Sequence, residues 1–183
     1  MTAPVKVLLI VFGVLFVIVC GGIGGLIYLG HSALSDADDP ASRRRIAAKL
    51  ATFSVPPGYR ITSALDFASR LQVDIAPDDV RSSFRIKLSG GPLEGDAASQ
   101  AQGVDIGLQL VSRFANCAFR SEPDDTVVVA GRPTTFQVRG CPTAALPMRI
   151  ETGTLPNGVT LVAMGARGDF DTAGLHALLR SFK

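Results

Sequence analysis

Alternating apolar and polar residues recur along most of the chain beyond residue 55. In stretches such as Leu71–Ile75 and Phe84–Leu88, every second side chain is apolar and the residues between them are polar or charged. A period of two residues gives a strand one buried and one solvated face, which is typical of antiparallel sheets. Comparable runs predict further strands near residues 59–62, 126–130, 134–139, 148–152 and 159–164. The pattern therefore predicts an antiparallel sheet of about six or seven strands.

Helical spacing replaces this alternation on both sides of the strand series. Ile46, Leu50 and Phe53 predict a helix that begins at Asp39–Pro40, because these residue types are preferred at the N-cap and the first helical position. This helix is expected to end before Pro56. A second helix is predicted after Asp171, with its apolar stripe at Leu175, Leu178, Leu179 and Phe182. Residues 104–119 fit both a strand and a helix, and a helix is preferred there.

A long uncharged stretch, Val7–Leu29, precedes these elements and consists of 23 residues rich in Val, Leu, Ile, Phe and Gly. A helix of this length spans about 35 Å, which is enough to cross a hydrocarbon core about 30 Å thick. The alternatives are a cleaved signal peptide, whose apolar core is typically shorter, and a lipoprotein signal acylated at Cys20, which Val19 disfavours. We therefore predict an anchor over residues 1–30, a linker over 31–39 and a soluble domain over 40–183.

These elements together define the predicted fold class, which is α+β. A single N-terminal transmembrane helix is followed by the antiparallel sheet of about six or seven strands, packed with helices.

The residues beside the apolar stretch give conflicting signals for membrane orientation. Arg43–Arg45 favour a cytoplasmic domain, because positive charge is enriched on that side. These arginines lie about 14 residues beyond the span, near the limit at which the rule operates, and the N-terminal tail is as short as that of a signal anchor. We expect a single-pass protein of a cell's inner membrane with an extracytoplasmic domain.

Cys117 and Cys141 are the two cysteines of the predicted domain. In an oxidising compartment they could form a disulfide, which would close a loop of about 25 residues and contribute about 3 kcal/mol in the chain-entropy model. The alternative is two separate thiols that pack as small apolar side chains. Because Cys141 precedes Pro142 in a predicted loop, the disulfide is the preferred interpretation.

Charge and candidate chemistry narrow the function only by exclusion. The formal net charge is +2 and the basic residues are scattered, whereas nucleic-acid-binding proteins concentrate them on one face. We therefore predict no nucleic-acid partner. Of the two histidines, His31 lies at the membrane edge and His176 is predicted to face solvent from the last helix. The paired acids at 78–79 and 124–125 are predicted turn residues, so no catalytic, cofactor or metal site is predicted.

The order of the elements and three short motifs are similar to those of a known group of domains. Val55–Tyr59 opens a strand, Val129–Pro133 precedes a returning strand, and Phe170–Asp171 leads into the last helix, which ends with Leu178–Phe182. Residues 53–183 thus resemble the Mog1/PsbP-like group of α/β/α sandwich domains. Some members of that group bind a small GTPase and others serve photosystem assembly, so the resemblance implies a fold and not one function.

Two functional hypotheses remain. The first is a membrane-anchored, non-catalytic binding or accessory module with a protein or small-molecule partner. The second is a membrane-tethered enzyme of unrecognised type. The surroundings of His176 discriminate between them: an acidic residue and a hydroxyl or thiol converging on the ring in a pocket would favour the enzyme. An open apolar groove would favour binding.

Overall fold

The computed structural model of the chain describes residues 39–67, 70–91, 118–142 and 147–183. Its two helices are α1, Pro40–Leu50, and α2, Thr172–Arg180. Its eight strands are β1 Tyr59–Phe67, β2 Arg70–Pro77, β3 Arg85–Gly90, β4 Arg120–Ser121, β5 Asp125–Val129, β6 Arg132–Cys141, β7 Met148–Thr154 and β8 Thr160–Ala166. The predicted anchor, almost all of the linker and nearly all of the helix predicted over 104–119 lie outside the described residues.

The predicted fold class is wrong. Strands make up 47% of the structure and helices 18%, so the described chain is a mostly antiparallel β domain with two short helices. It has eight strands instead of six or seven, because β4 contains only two residues and so short a strand shows no periodicity in sequence. Neither helix of the described segments has the length and apolar character needed to cross a membrane.

The strands form one sheet in the order β1-β2-β3-β8-β7-β6-β4, and β5 also pairs with β6. Every ladder is antiparallel, as the alternation predicts. The long strand β6 serves two partners along the same edge. Its first half pairs with β5, where Asp125 lies opposite Phe136, and its second half pairs with β4, where Arg120 lies opposite Gly140. Strand β1 forms the opposite edge of the sheet.

One face of the sheet carries the hydrophobic core, and both helices contribute to it. Helix α1 packs on β1 and β2, and α2 packs on β5. The fully buried side chains at the centre include Val73, Ile75, Ile86, Leu88 and Leu161. The apolar stripe predicted for the last helix is confirmed, since its three leucines are fully buried and Phe182 is 4% exposed.

Helix α1 begins where the sequence predicts and ends before Pro56, as expected, although Phe53 of the predicted apolar stripe lies outside it. Asp39 Oδ2 accepts a hydrogen bond from Ser42 N at 2.8 Å, and Pro40 takes the first helical position. The helix stops at Leu50, and Ala51 is already extended. The following residues are held by the end of the chain: Lys183 N donates to Thr52 O at 3.1 Å. Phe53 therefore lies beyond the helix, because tertiary hydrogen bonds compete with a helical continuation.

Two turns between strands contain residues with positive φ. The turn between β5 and β6 has φ of 48° at Ala130 and 76° at Gly131, and positive φ at both central residues defines the type I′ turn that suits twisted hairpins. It begins one residue before the gap between the strands predicted near 126–130 and 134–139, and Pro133 lies inside β6. Between β7 and β8, Gly158 follows Asn157 in a turn and has φ of 83°, a value that glycine adopts readily.

Candidate functional site

A groove of about 560 Å³ lies between α1 and the beginning of β1. This volume is within the range of small-molecule binding sites, about 300–1,000 Å³. The wall of the groove combines the exposed side of α1, the extended segment that follows it and the first residues of the edge strand. The lining residues are Pro40, Arg43, Arg44, Ala47, Ala48, Ala51, Thr52, Phe53, Val55, Tyr59, Arg60 and Ile61.

Small residues on the helix leave the space that forms this groove. Ala47, Ala48 and Ala51 have only methyl side chains, so they fill little of the space between the helix and the segment opposite. That segment is fixed from behind, because the ring of Phe53 stacks on Phe182 with centroids 5.0 Å apart and planes inclined by 16°. Two features therefore form the groove. The helix side that faces it has small residues, and the segment opposite is held in place by tertiary contacts.

Every charged residue that lines the groove is an arginine. Arg43 is anchored, since its Nη1 donates to the backbone oxygen of Ile61 at 3.0 Å and so bridges α1 and β1. Arg44 and Arg60 are exposed, and within the described part of the chain neither side chain has a recorded hydrogen bond or ion pair. The lining thus has an apolar part, here called the floor, and a positively charged part formed by Arg43, Arg44 and Arg60, here called the rim.

The edge strand beside the groove is not a regular ladder. Its pairing with β2 shifts register between Ile61 and Ser63. Irregularities of this kind, together with side chains that cover the edge, protect edge strands from pairing with other chains. Arg43 covers the carbonyl of Ile61 in just this region. The first residues of β1 are therefore a poor template for an added strand.

A second polar cluster surrounds His176, and it corrects two predictions. The His176 side chain is only 21% exposed, and its Nε2 lies 2.5 Å from Asp125 Oδ2. The side chain is therefore mostly shielded from solvent, because α2 packs against β5. Asp125 is not a turn residue, since it is the first residue of β5. Sequence periodicity along one helix cannot show which strand the helix will contact.

Glu151 is the buried member of this cluster. It is fully buried, and its Oε1 accepts hydrogen bonds from Nε and Nη2 of Arg149 at 3.0 and 2.6 Å. Its other oxygen, Oε2, has no hydrogen-bond partner among the described residues. Burial raises the pKa of Glu151, Arg149 opposes the rise, and Asp125 adds to it.

Periodicity assigns Glu151 to the solvated face of its strand, which is wrong. Its cross-strand neighbours are Val138 and Ala163, both of which are buried. On the opposite face of the same strand, Ile150 is fully buried as well. Strand β7 is therefore buried on both faces, a situation that alternation cannot reveal.

The chemistry available at this cluster is limited. A carboxylate that holds an imidazole ring is the orienting half of a hydrolytic triad. Among the described residues, the side-chain hydrogen bond of the ring is with this carboxylate, and no hydroxyl or thiol of those residues is hydrogen-bonded to the ring. The groove and a smaller cavity of about 220 Å³ near Arg132 and Asn157 are lined by other residues. The described segments contain no group of three or more possible metal ligands.

Only one of the two cysteines of the predicted disulfide belongs to the described residues. Cys141 is the last residue of β6 and is fully buried, so it lies in a strand and not in the predicted loop. Cys117 lies outside the described residues. The pairing of the two cysteines stays a prediction.

Comparison with known proteins adds no family to this picture. No protein-family model matches the chain, and no curated protein matches it. The resemblance to the Mog1/PsbP-like group therefore stays a prediction, and the function has to be argued from the geometry of the groove.

Proposed function

We propose that this protein is a membrane-tethered, non-catalytic binding module whose ligand occupies the groove between α1 and β1. The observation that carries the proposal is the groove itself. It is open, it has an apolar floor, and its size is that of a ligand site. An open apolar groove is the feature that favours binding over catalysis.

The tether is inferred from the apolar stretch Val7–Leu29. Residues 30–39 separate this stretch from Pro40, the first residue of α1. Ten residues span at most about 36 Å when fully extended. If the stretch enters a membrane, Pro40, which begins α1 and lines the groove, stays within that distance of the bilayer surface. This suits a module that acts beside the membrane.

The alternative of a tethered enzyme has one observation in its favour, the contact between Asp125 and His176. That pair lines neither the groove nor the smaller cavity. A catalytic base must reach a bound substrate, so a pair outside both cavities is weaker support than the groove.

The absence of tryptophan from the chain allows a direct test of ligand binding. Thr52 is exposed and lines the groove, so Thr52→Trp places a single fluorophore at the site. The full chain is reconstituted in nanodiscs of zwitterionic lipid. Brominated dodecanol and brominated dodecanoate, which quench tryptophan on contact, are then titrated. We expect saturable quenching by at least one of these probes.

Two variants control this measurement. Val80→Trp places the fluorophore at an exposed apolar position, 77% exposed, that does not line the groove. Ala48→Leu, combined with Thr52→Trp, adds bulk to the groove at an exposed helix position. We expect no saturable quenching in the first and at least fivefold weaker quenching in the second. Equal quenching of the Thr52→Trp and Val80→Trp chains, or none by either probe, would contradict the proposed function.

A further inference from the structure

We infer that the ligand of the groove is an amphiphile with one alkyl chain and one anionic head group, taken from the membrane beside the domain. This inference rests on the proposed function and assigns the chemical class of the ligand. Four features support it: the charge of the rim, the form of the floor, the protection of the neighbouring strand edge and the length of the tether.

The charge of the rim selects an anionic head group. The three charged residues of the lining, Arg43, Arg44 and Arg60, are all positive, and no acidic residue lines the groove. Arg44 lies on the helix and Arg60 on the strand, so both walls carry a guanidinium. A guanidinium can form paired, charge-assisted hydrogen bonds with a carboxylate or a phosphate. A neutral ligand would leave the guanidinium groups of Arg44 and Arg60 without a charged partner at the groove.

The floor selects an alkyl chain. The floor includes the alanines of the helix and the side chains of Phe53, Val55 and Ile61 from the segment opposite. These three side chains are half-buried, so part of their apolar surface remains accessible. Covering this apolar surface with an alkyl chain removes it from water, which stabilises a complex. A small hydrophilic anion would gain nothing from this floor.

The edge strand argues against the main competing occupant, an acidic peptide that adds to the sheet. Strand addition needs a row of free backbone donors and acceptors at the edge. At the groove, Arg43 occupies the carbonyl of Ile61, and the register shift between Ile61 and Ser63 disturbs the next positions. A ligand held by side chains fits this edge better than a ligand held by backbone hydrogen bonds.

The length of the tether indicates the source of the ligand. In the proposed function, residues 30–39 restrict Pro40, the first lining residue of the groove, to within about 36 Å of the membrane surface. Single-chain anionic amphiphiles partition into bilayers, so their local concentration there is high. The membrane leaflet on the side of the domain is therefore the source to which we commit.

The test compares the two brominated probes on the Thr52→Trp chain in zwitterionic nanodiscs, with each probe expressed as its mole fraction in the disc. The probes share one alkyl chain and differ in the head group. We expect the half-saturating fraction of the dodecanoate to be at least tenfold lower than that of the dodecanol. The double variant Arg44→Gln/Arg60→Gln should abolish this preference. Arg81→Gln, which removes an exposed arginine outside the groove, should preserve it.

Each of the other possible results contradicts the head-group assignment, the role of the rim or the proposed function. Equal saturable quenching by both probes would overturn the anionic assignment and leave the groove as a binding site. A preference that persists in the Arg44→Gln/Arg60→Gln variant would overturn the role of the rim. Quenching by neither probe would overturn the proposed function together with this inference. A thermal unfolding curve for each variant shows that loss of quenching is not loss of the fold.

Discussion

Glu151 is fully buried, yet only one of its two carboxyl oxygens has a hydrogen-bond partner in the described chain. Arg149 supplies that partner and also lies over the ring of Phe170, 5.1 Å from its centroid. Arg149 is 26% exposed, and its two hydrogen bonds reach only one carboxyl oxygen. They compensate the buried carboxylate incompletely, because removing a charge from water is costly. Burial accordingly dominates the pKa of Glu151 and raises it.

The raised pKa of Glu151 predicts how stability changes with pH. The folded state holds the proton more tightly than the unfolded chain, whose carboxyl has a pKa near 4.5. The free energy of unfolding therefore falls as pH rises from that value through the raised pKa. We expect Glu151→Gln to gain stability relative to the natural chain as pH rises from about 4 to about 8, as measured by urea unfolding of the full chain in nanodiscs.

Glu122→Gln is the matched control for this experiment, since Glu122 also pairs with an arginine, Arg167, at a partly exposed position. It reports the effect of losing an ion pair near the surface, typically about 0–1 kcal/mol. If Glu151→Gln were instead less stable than the natural chain by an amount that grows with pH, Glu151 would be stabilised as a carboxylate and the assignment of its pKa shift would be wrong.

Helix α2 and its N-cap residue contact two separate parts of the sheet, β5 and the beginning of β1. Asp171 caps it, with Oδ1 accepting from Gly174 N at 2.9 Å and Oδ2 accepting from the Tyr59 hydroxyl at 2.6 Å. The same contact lowers the pKa of Asp171, with the Tyr59 hydrogen bond as the main cause. The apolar side of the helix is fully buried. The helix therefore holds both β5 and the beginning of β1, next to the groove.

Because α2 docks on the sheet, shortening one of its buried side chains should lower the free energy of unfolding. Leu178 is fully buried, and replacing a buried leucine by alanine removes contacts and leaves a cavity at a cost of about 2–5 kcal/mol. We expect Leu178→Ala to lower the free energy of unfolding by that amount, measured by thermal or urea unfolding. Val80→Ala truncates an aliphatic residue that is 77% exposed and should change stability by less than about 0.5 kcal/mol. Equal effects of the two substitutions would show that α2 does not dock.

The described part of the chain forms a sheet with one edge at β1 and the other at β4 and β5, and the proposed site lies at the first of these edges. Ten residues separate Pro40, where the groove begins, from the apolar stretch Val7–Leu29. In the proposed function this stretch tethers the domain to the membrane, so the groove lies near the proposed source of the ligand. The orientation of this arrangement across the membrane and the redox state of Cys141 are linked, since stable disulfides form in oxidising compartments.

Compartment and cysteine chemistry can be tested together. If the domain is extracytoplasmic, protease added to intact spheroplasts should digest it, and the undigested chain should shift in mobility on a gel when reductant is added. Cys141→Ser should abolish the reductant-dependent shift, because it removes one member of the predicted pair, Cys117 and Cys141. A domain that is protected from protease and has two alkylatable thiols would contradict both expectations and make Arg43–Arg45 the orientation signal.

Local pattern by itself determined much of this protein. The alternation of residues such as Val73 and Ile75 specified strands, and the spacing of Leu175, Leu178 and Leu179 specified the buried side of α2. The caps at Asp39 and Asp171 and the turn at Gly158 also follow from residue type. These features depend on residues within a few positions of one another along the chain, which is why they can be predicted from the sequence.

Only the tertiary structure decided the rest. Strand β7 is buried on both faces, so Glu151 is in the interior although its sequence position is that of a solvated residue. His176 meets Asp125 across 51 positions, and α1 ends at Leu50 because the distant end of the chain holds the residues that follow. The groove exists because small residues of α1 face a segment whose position is set by contacts with residues far along the chain, such as Phe53 with Phe182. Such features depend on which surfaces meet, and periodicity records only which side of an element is apolar.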